Sequence, residues 1–186
     1  MSDNHTAKFS RSTSQAAGSS ALSDDRPGEL QPVEPIQLET FLPYRLNVLA
    51  TTVSHALARL YSEQFGLSIP EWRSLATLGQ FGEITAREIG LHSRMHKTTV
   101  SRAIAALERR GFVARRQNQA DMRESILFMT PSGESVYAQI VPLARSFDAR
   151  IRTCMSTTDQ ATLDELMNHI LATVTRQNGL LQPKID

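Results

Sequence analysis

Between Lys97 and Gly111 the apolar residues Val100, Ala103, Ile104 and Leu107 recur at i, i+3, i+4 and i+7. That spacing puts them in one stripe along a helix. Thr98, Arg102 and Arg109 fall nearly opposite the stripe, with Lys97 and Ser101 toward its flanks. Gly111 stands where a helix needs a left-handed residue to end. Ahead of this helix, Thr85 and Glu88 have the spacing of a capping box, which opens a shorter helix whose buried side is expected to be Ile89 and Leu91. Residues 92–96 make the tight turn between the two. Two short strands follow, residues 112–116 and 125–129, joined by a polar loop that contains neither Gly nor Pro. A tight hairpin favours such residues, so the loop is expected to be long and mobile. The order is helix, turn, helix, hairpin.

The second helix has a face suited to DNA. Short hydroxylic side chains allow close approach to the major groove, and arginine can pair with two acceptors of guanine. A helix-turn-helix presents the N-terminal residues of its second helix to the bases. A solvated amphipathic helix has much the same composition, so the helix alone does not decide. The loop beside it adds Asn118, Asp121 and Arg123. An arginine there can enter a minor groove, where negative potential is concentrated.

Charge agrees with this locally but not globally. The whole chain carries a net +1. Residues 87–124 hold nine Lys/Arg against four Asp/Glu, a local +5, and the rest holds 11 against 15, or −4. A basic patch on a near-neutral chain is an electrostatic footprint for a polyanion.

The segments Leu107-Glu-Arg-Arg-Gly-Phe-Val113, Asp121-Met-Arg123 and Met129-Thr-Pro-Ser-Gly133, in this order after a helix-turn-helix, resemble the MarR (multiple antibiotic resistance regulator) family. The resemblance spans residues 38–177. It implies a mainly α fold with a small β-wing, a winged helix-turn-helix joined to a helical dimerisation lobe. It also implies a homodimeric regulator, usually a repressor, often released by a small ligand. By position, the DNA contacts it implies are Lys97, Thr98, Thr99, Ser101 and Arg102 on the second helix. Arg115, Arg116, Asn118, Asp121 and Arg123 would serve the wing, with Asp121 placing Arg123. Glu124 departs from the pattern, because the family more often has a second basic residue there. The effector pocket it implies lies between lobe and winged module. Its polar and aromatic candidates here are Tyr44, Arg45, Asn47, His55, Arg59, Trp72 and Arg73, which suit an aromatic carboxylate or an acidic thioester.

The remaining chain fills this frame. Residues 1–35 are rich in Ser, Asp, Pro and Gly and poor in large apolar groups, so a disordered tail is expected. Residues 36–180 are expected to form the domain, with 67–130 as the winged module and 36–66 and 131–180 as dimerisation helices. Pro43 suits a helix start, Gly66 a helix end, and Ser68 with Glu71 a second capping box. Ile84 could add a single short strand to the wing. Thr130 is a plausible N-cap for a helix that Pro142 should kink or break. Thr157 and Gln160 are read as the cap of the last helix, with Leu163, Leu166, Met167, Ile170, Leu171 and Val174 as its apolar face. The outer helices carry more apolar surface than a small winged module can cover, which points to packing against a second copy.

No catalytic constellation stands out, so an enzyme is not expected. Neither a cofactor nor a metal site is expected, because His92 and His96, spaced i, i+4, fall across the turn and make only two ligands. Cys154 is the sole cysteine and is read as a small packed residue more readily than as a redox sensor. The N-terminus lacks the apolar core of a signal peptide and no apolar run reaches membrane-spanning length, so the expected location is the cytoplasm. The expected partners are a pseudo-palindromic double-stranded DNA operator, a second copy of the chain and a small-molecule effector, with no membrane. An activator, a ligand-independent regulator and a winged-helix module that binds protein in place of DNA remain alternatives.

Overall fold

The computed structural model describes residues 34–119 and 122–181, the last five by backbone alone. The expected disordered tail lies almost wholly outside them. Contacts divide the chain at Gln37, and the unit from Leu38 onward holds every helix and strand described.

That unit runs α1 (Leu42–Phe65), α2 (Ile69–Phe81), β1 (Ile84–Thr85), α3 (Ala86–Ser93), α4 (Lys97–Arg109), β2 (Val113–Gln117), β3 (Ser125–Met129), α5 (Pro131–Arg152) and α6 (Thr157–Leu181). Helix α1 begins with Pro43 in its first turn and closes on Gly66 in the left-handed region, whose N–H donates to the Ser62 carbonyl at 2.8 Å. Both expected capping boxes form. The Glu71 carboxylate accepts from the Ser68 N–H at 2.6 Å, and that of Glu88 accepts from the Thr85 N–H at 2.7 Å. Each box satisfies N–H groups that a helix start leaves without partners.

The sheet has the order β1-β3-β2, antiparallel throughout, with Ile84 opposite Leu127 and Val113 opposite Met129. The core sits between this sheet and helices α2, α3 and α4. Leu75, Leu78, Ile89, Val100, Ile104, Leu107, Val113 and Leu127 are buried there together with Ile140 of α5 and Tyr61 of α1. Each such side chain contributes about 1.5–3 kcal/mol of transfer free energy. Burial of the α4 stripe therefore fixes which face of that helix looks outward. Burial also pushes the Tyr61 hydroxyl pKa up to about 12, against a smaller opposing effect of Arg73.

Four sequence expectations are corrected. Cys154, read as a small packed residue, is exposed in the single chain. Leu91 is 59% exposed, not core. It follows Ile89 by two residues, about 200° around the helix, so only one of the pair can face inward. Of the kink or break expected at Pro142, the break does not occur: α5 runs from Pro131 to Arg152 with the proline inside it. Both Pro142 and Ala138, whose carbonyl loses its helical donor, are exposed, so water can satisfy that carbonyl. The cap of α6 is Ser156 with Asp159, one residue ahead of the expected pair: the Ser156 hydroxyl accepts from the Asp159 N–H at 3.1 Å, and the Asp159 carboxylate accepts from the Ser156 N–H at 3.3 Å. The Gln160 amide donates instead to the carbonyls of Arg152 and Met155.

In the single chain, large apolar side chains stay exposed on the outer helices: Leu46 and Leu49 on α1, and Leu163, Leu166, Met167, Leu171 and Val174 on α6. No helix among the described residues is long and apolar enough to cross a membrane.

Candidate nucleic-acid interface

The turn between α3 and α4 is only three residues long. Arg94 takes a left-handed conformation, φ 54°, and the Met95 N–H returns to the Gly90 carbonyl at 3.2 Å. His96 then caps α4, with its Nδ1 2.7 Å from the Thr98 hydroxyl and facing the Thr98 N–H. From this start Lys97, Thr98, Ser101 and Arg102 are exposed and Thr99 is half-buried. The outer face of α4 is therefore short, hydroxylic and cationic, as its sequence spacing predicts.

The wing arginines have partners that spacing could not reveal. Successive strand residues point to opposite faces. Arg115 turns toward α4 and donates through Nε and Nη2 to both carboxylate oxygens of Glu108, each at 2.5 Å. That pairing raises the Arg115 pKa above its ordinary value. Arg116 points the other way and pairs with Glu83, just ahead of β1. Two arginines expected to serve the wing's DNA contacts thus pair with carboxylates on either side of its root. At the tip the Asn118 N–H donates to the Glu124 carbonyl at 3.3 Å. Asp121 lies outside the described residues, so its expected role toward Arg123 does too.

Between α3, the start of α4 and the wing lies a cleft of about 620 Å³. Leu91, Met95, Val100, Ile104 and Leu127 contribute apolar lining, and Arg87, Lys97, Arg115 and Arg123 contribute cations. Leu91 thus faces this cleft and not the core. Arg87 was not expected here; its place in the first turn of α3 was the available signal.

The effector candidates divide. Trp72 is buried between Tyr61, ring centroids 5.5 Å apart, and Tyr137, 6.0 Å apart. Arg73 is exposed and donates to the Ser54 hydroxyl at 3.0 Å. Both line a shallow recess of about 340 Å³ with Ala76, Thr77, Gln80, Phe81, His92 and Ser93. In that recess the Phe81 and His92 rings stack at 3.8 Å, a pair the sequence reading missed because its members sit on different helices. Tyr44, Arg45, Asn47, His55 and Arg59 are exposed along α1 and are not among the residues lining the recess.

Comparison with known proteins is consistent with this geometry. The family model described as "MarR family" matches residues 67–125. The HTH-type transcriptional regulator YwoH of Bacillus subtilis, itself uncharacterised, is 37% identical over 78 residues, 42% of this chain and 56% of YwoH. A MarR family transcriptional regulator from Silicibacter pomeroyi superposes with a TM-score of 0.65 at 29% identity, covering 75% of this chain and 93% of that one. Residues 67–125 are a MarR-family segment. The fold extends further: a mutant of Escherichia coli MarR, solved with operator DNA, gives a TM-score of 0.65 over 74% of this chain and 99% of that one, at 19% identity. The match to YwoH spans little more than half of that relative's length.

The motifs that mark the MarR resemblance acquire physical reasons here. In Leu107-Glu-Arg-Arg-Gly-Phe-Val113, the Phe112 N–H donates to the Leu107 carbonyl and the Gly111 N–H to that of Glu108, both at 2.9 Å. This double closure with Gly111 at φ 69° ends α4 and releases the chain directly into β2. In Thr130-Pro-Ser-Gly133, the Thr130 hydroxyl accepts from the Gly133 N–H at 3.2 Å and donates to the Gly111 carbonyl at 2.5 Å. The glycine is needed because a Cβ at 133 would lie 1.9 Å from the Phe112 carbonyl oxygen. Both motifs thus serve one junction, where the end of α4 meets the start of α5.

Proposed function

We propose that this chain is a sequence-specific DNA-binding transcriptional regulator, acting as a homodimeric repressor in the cytoplasm. The observation that carries this reading is the outer face of α4: Lys97, Thr98, Ser101 and Arg102 stand exposed on a helix whose opposite side is locked into the core, beside a wing bearing Arg123. Short side chains let the helix enter a major groove, and Arg102 can meet guanine there. The operator complex solved for the Escherichia coli protein of the same fold supports the reading.

The exposed apolar residues of α1 and α6 support a second copy as the partner of those helices, with residues 36–66 and 131–180 forming the shared lobe. Two α4 helices would then sit about 34–36 Å apart and read a pseudo-palindromic site. The effector is an aromatic acid, or the acidic end of a thioester, seated in the recess where Arg73 lies beside Trp72 and the Phe81–His92 stack. It releases DNA only to the extent that it prefers the non-binding conformation.

The test is selection of duplexes from a random pool by the purified protein, repeated with Arg102→Ala. Recovery of a pseudo-palindrome by the wild type, lost in the variant while sedimentation still gives a dimer, supports the proposal. Failure of the wild type to enrich any sequence at low salt overturns it.

A further inference from the structure

Arg110 follows the last residue of α4 and takes a helical conformation as its C-cap. Its guanidinium does not run out into solvent alone. Nη1 donates to the Gly66 carbonyl at 3.0 Å, Nη2 donates to the Phe65 carbonyl, and Cζ lies 4.5 Å from the centre of the Phe112 ring. Phe65 is the last residue of α1 and Gly66 its cap. The final carbonyls of a helix have no intrahelical donors and carry partial negative charge, so a forked cation suits them. A lysine has one ammonium and cannot span both carbonyls with the same planar geometry. The contact joins residues 44 and 45 positions apart in sequence.

Val100, Ala103, Ile104 and Leu107 bury the inner side of α4. Arg110 instead grips the joint where α1 turns into α2. We propose that Arg110 is a positioning residue that sets the angle between recognition helix and α1, and so determines which half-site spacing the dimer accepts. The inference rests on the DNA-binding reading above, with α1 in the shared lobe. Once α1 is fixed by a partner copy, any play between α1 and α4 appears as uncertainty in the separation of the two α4 helices. A tie at the far end of α4 leaves the base-contacting start of the helix untouched, so its effect falls on spacing and not on base preference.

Two measurements test this. In the DNA-free protein, spin labels at Thr51→Cys and Arg109→Cys, with Cys154→Ser and an excess of unlabelled protomers, report the α1–α4 distance distribution. Arg110→Ala should broaden it, and Arg110→Lys should broaden it less. An unchanged distribution overturns the tie. The second measurement uses the duplex that the wild type selects from a random pool, with and without one base pair inserted at its centre. The insertion rotates and shifts one half-site against the other and should cost the wild type about tenfold or more in affinity, but Arg110→Ala no more than about threefold. Equal spacing discrimination in both proteins overturns the specificity role, even if the distribution broadens. A wild type that selects no duplex overturns the DNA-binding reading itself, and the spacing role falls with it.

Discussion

Replacing Gly133 by alanine sets two opposite expectations against each other. Helix propensity alone says that alanine in α5 should stabilise the protein by up to about 1 kcal/mol. The structure says otherwise. The added Cβ would sit 1.9 Å from the Phe112 carbonyl oxygen, 2.9 Å from its carbon and 3.2 Å from its Cα. These are backbone atoms, so no side-chain rotation relieves the contact, and α5 must move away from residue 112 by an ångström or so. That movement stretches the 3.0 Å bond from the Thr130 N–H to the same carbonyl and the 2.5 Å bond from the Thr130 hydroxyl to Gly111. Overpacking costs about 1–3 kcal/mol, and weakening the Thr130 cap costs about 1 kcal/mol more. Set against the propensity gain, the net is destabilisation by about 1–3 kcal/mol. For a chain of this size each kcal/mol lowers Tm by about 2–4 °C. Thermal unfolding at fixed protomer concentration reads this, the fixed concentration being needed because association shifts apparent stability. A Gly133→Ala protein with a Tm equal to or above that of the wild type would refute the close approach at this junction.

Other outcomes follow from the same geometry. Arg102→Ala should weaken binding to the selected duplex by about 10- to 100-fold, the value of a lost bidentate base contact, with sedimentation unchanged. Glu108→Gln removes the carboxylate that holds Arg115, so Arg115 should become available to phosphate and the slope of log affinity against log salt should steepen by about one unit; an unchanged slope would mean Arg115 already contacts DNA or never reaches it. The Glu88 carboxyl pKa is lowered, chiefly by the donated Thr85 N–H and then by the Thr85 hydroxyl. A lowered folded-state pKa gives stability that is present above the unfolded carboxylate pKa and lost as pH falls through the folded one. Urea unfolding should therefore show Glu88→Gln less stable than the wild type at neutral pH, with the gap closing below about pH 4. A gap independent of pH would contradict that origin.

What the sequence made legible was local. Ser68 with Glu71 and Thr85 with Glu88 are three residues apart, and a capping box needs nothing beyond that spacing. The stripe on α4 was legible for the same reason, since four residues within eight positions define its buried face. Local reasoning failed where two local solutions competed. Ser156 with Asp159 and Thr157 with Gln160 have the same spacing, and the carboxylate accepts from backbone N–H groups more strongly than an amide oxygen does. A break was one of the two outcomes expected at Pro142, because the exposure of its neighbours was unknown. The candidate site was legible along α4 and less so in the wing. The partners of Arg115 and Arg116 are Glu108 and Glu83, 7 and 33 residues away, and only the folded sheet brings them together. The recess at Trp72 and Arg73 needs α3 beside α2, which no spacing on either helix announces.

The proposed role of α4 and the wing is recognition of DNA by sequence. Equilibrium binding to the selected duplex and to random duplex, each titrated at several salt concentrations, tests it most directly. The complex with the selected site should be about 10³-fold or more tighter than that with random DNA, weakening linearly on log–log axes as salt rises. Equal affinity for the two duplexes at every salt concentration would contradict it.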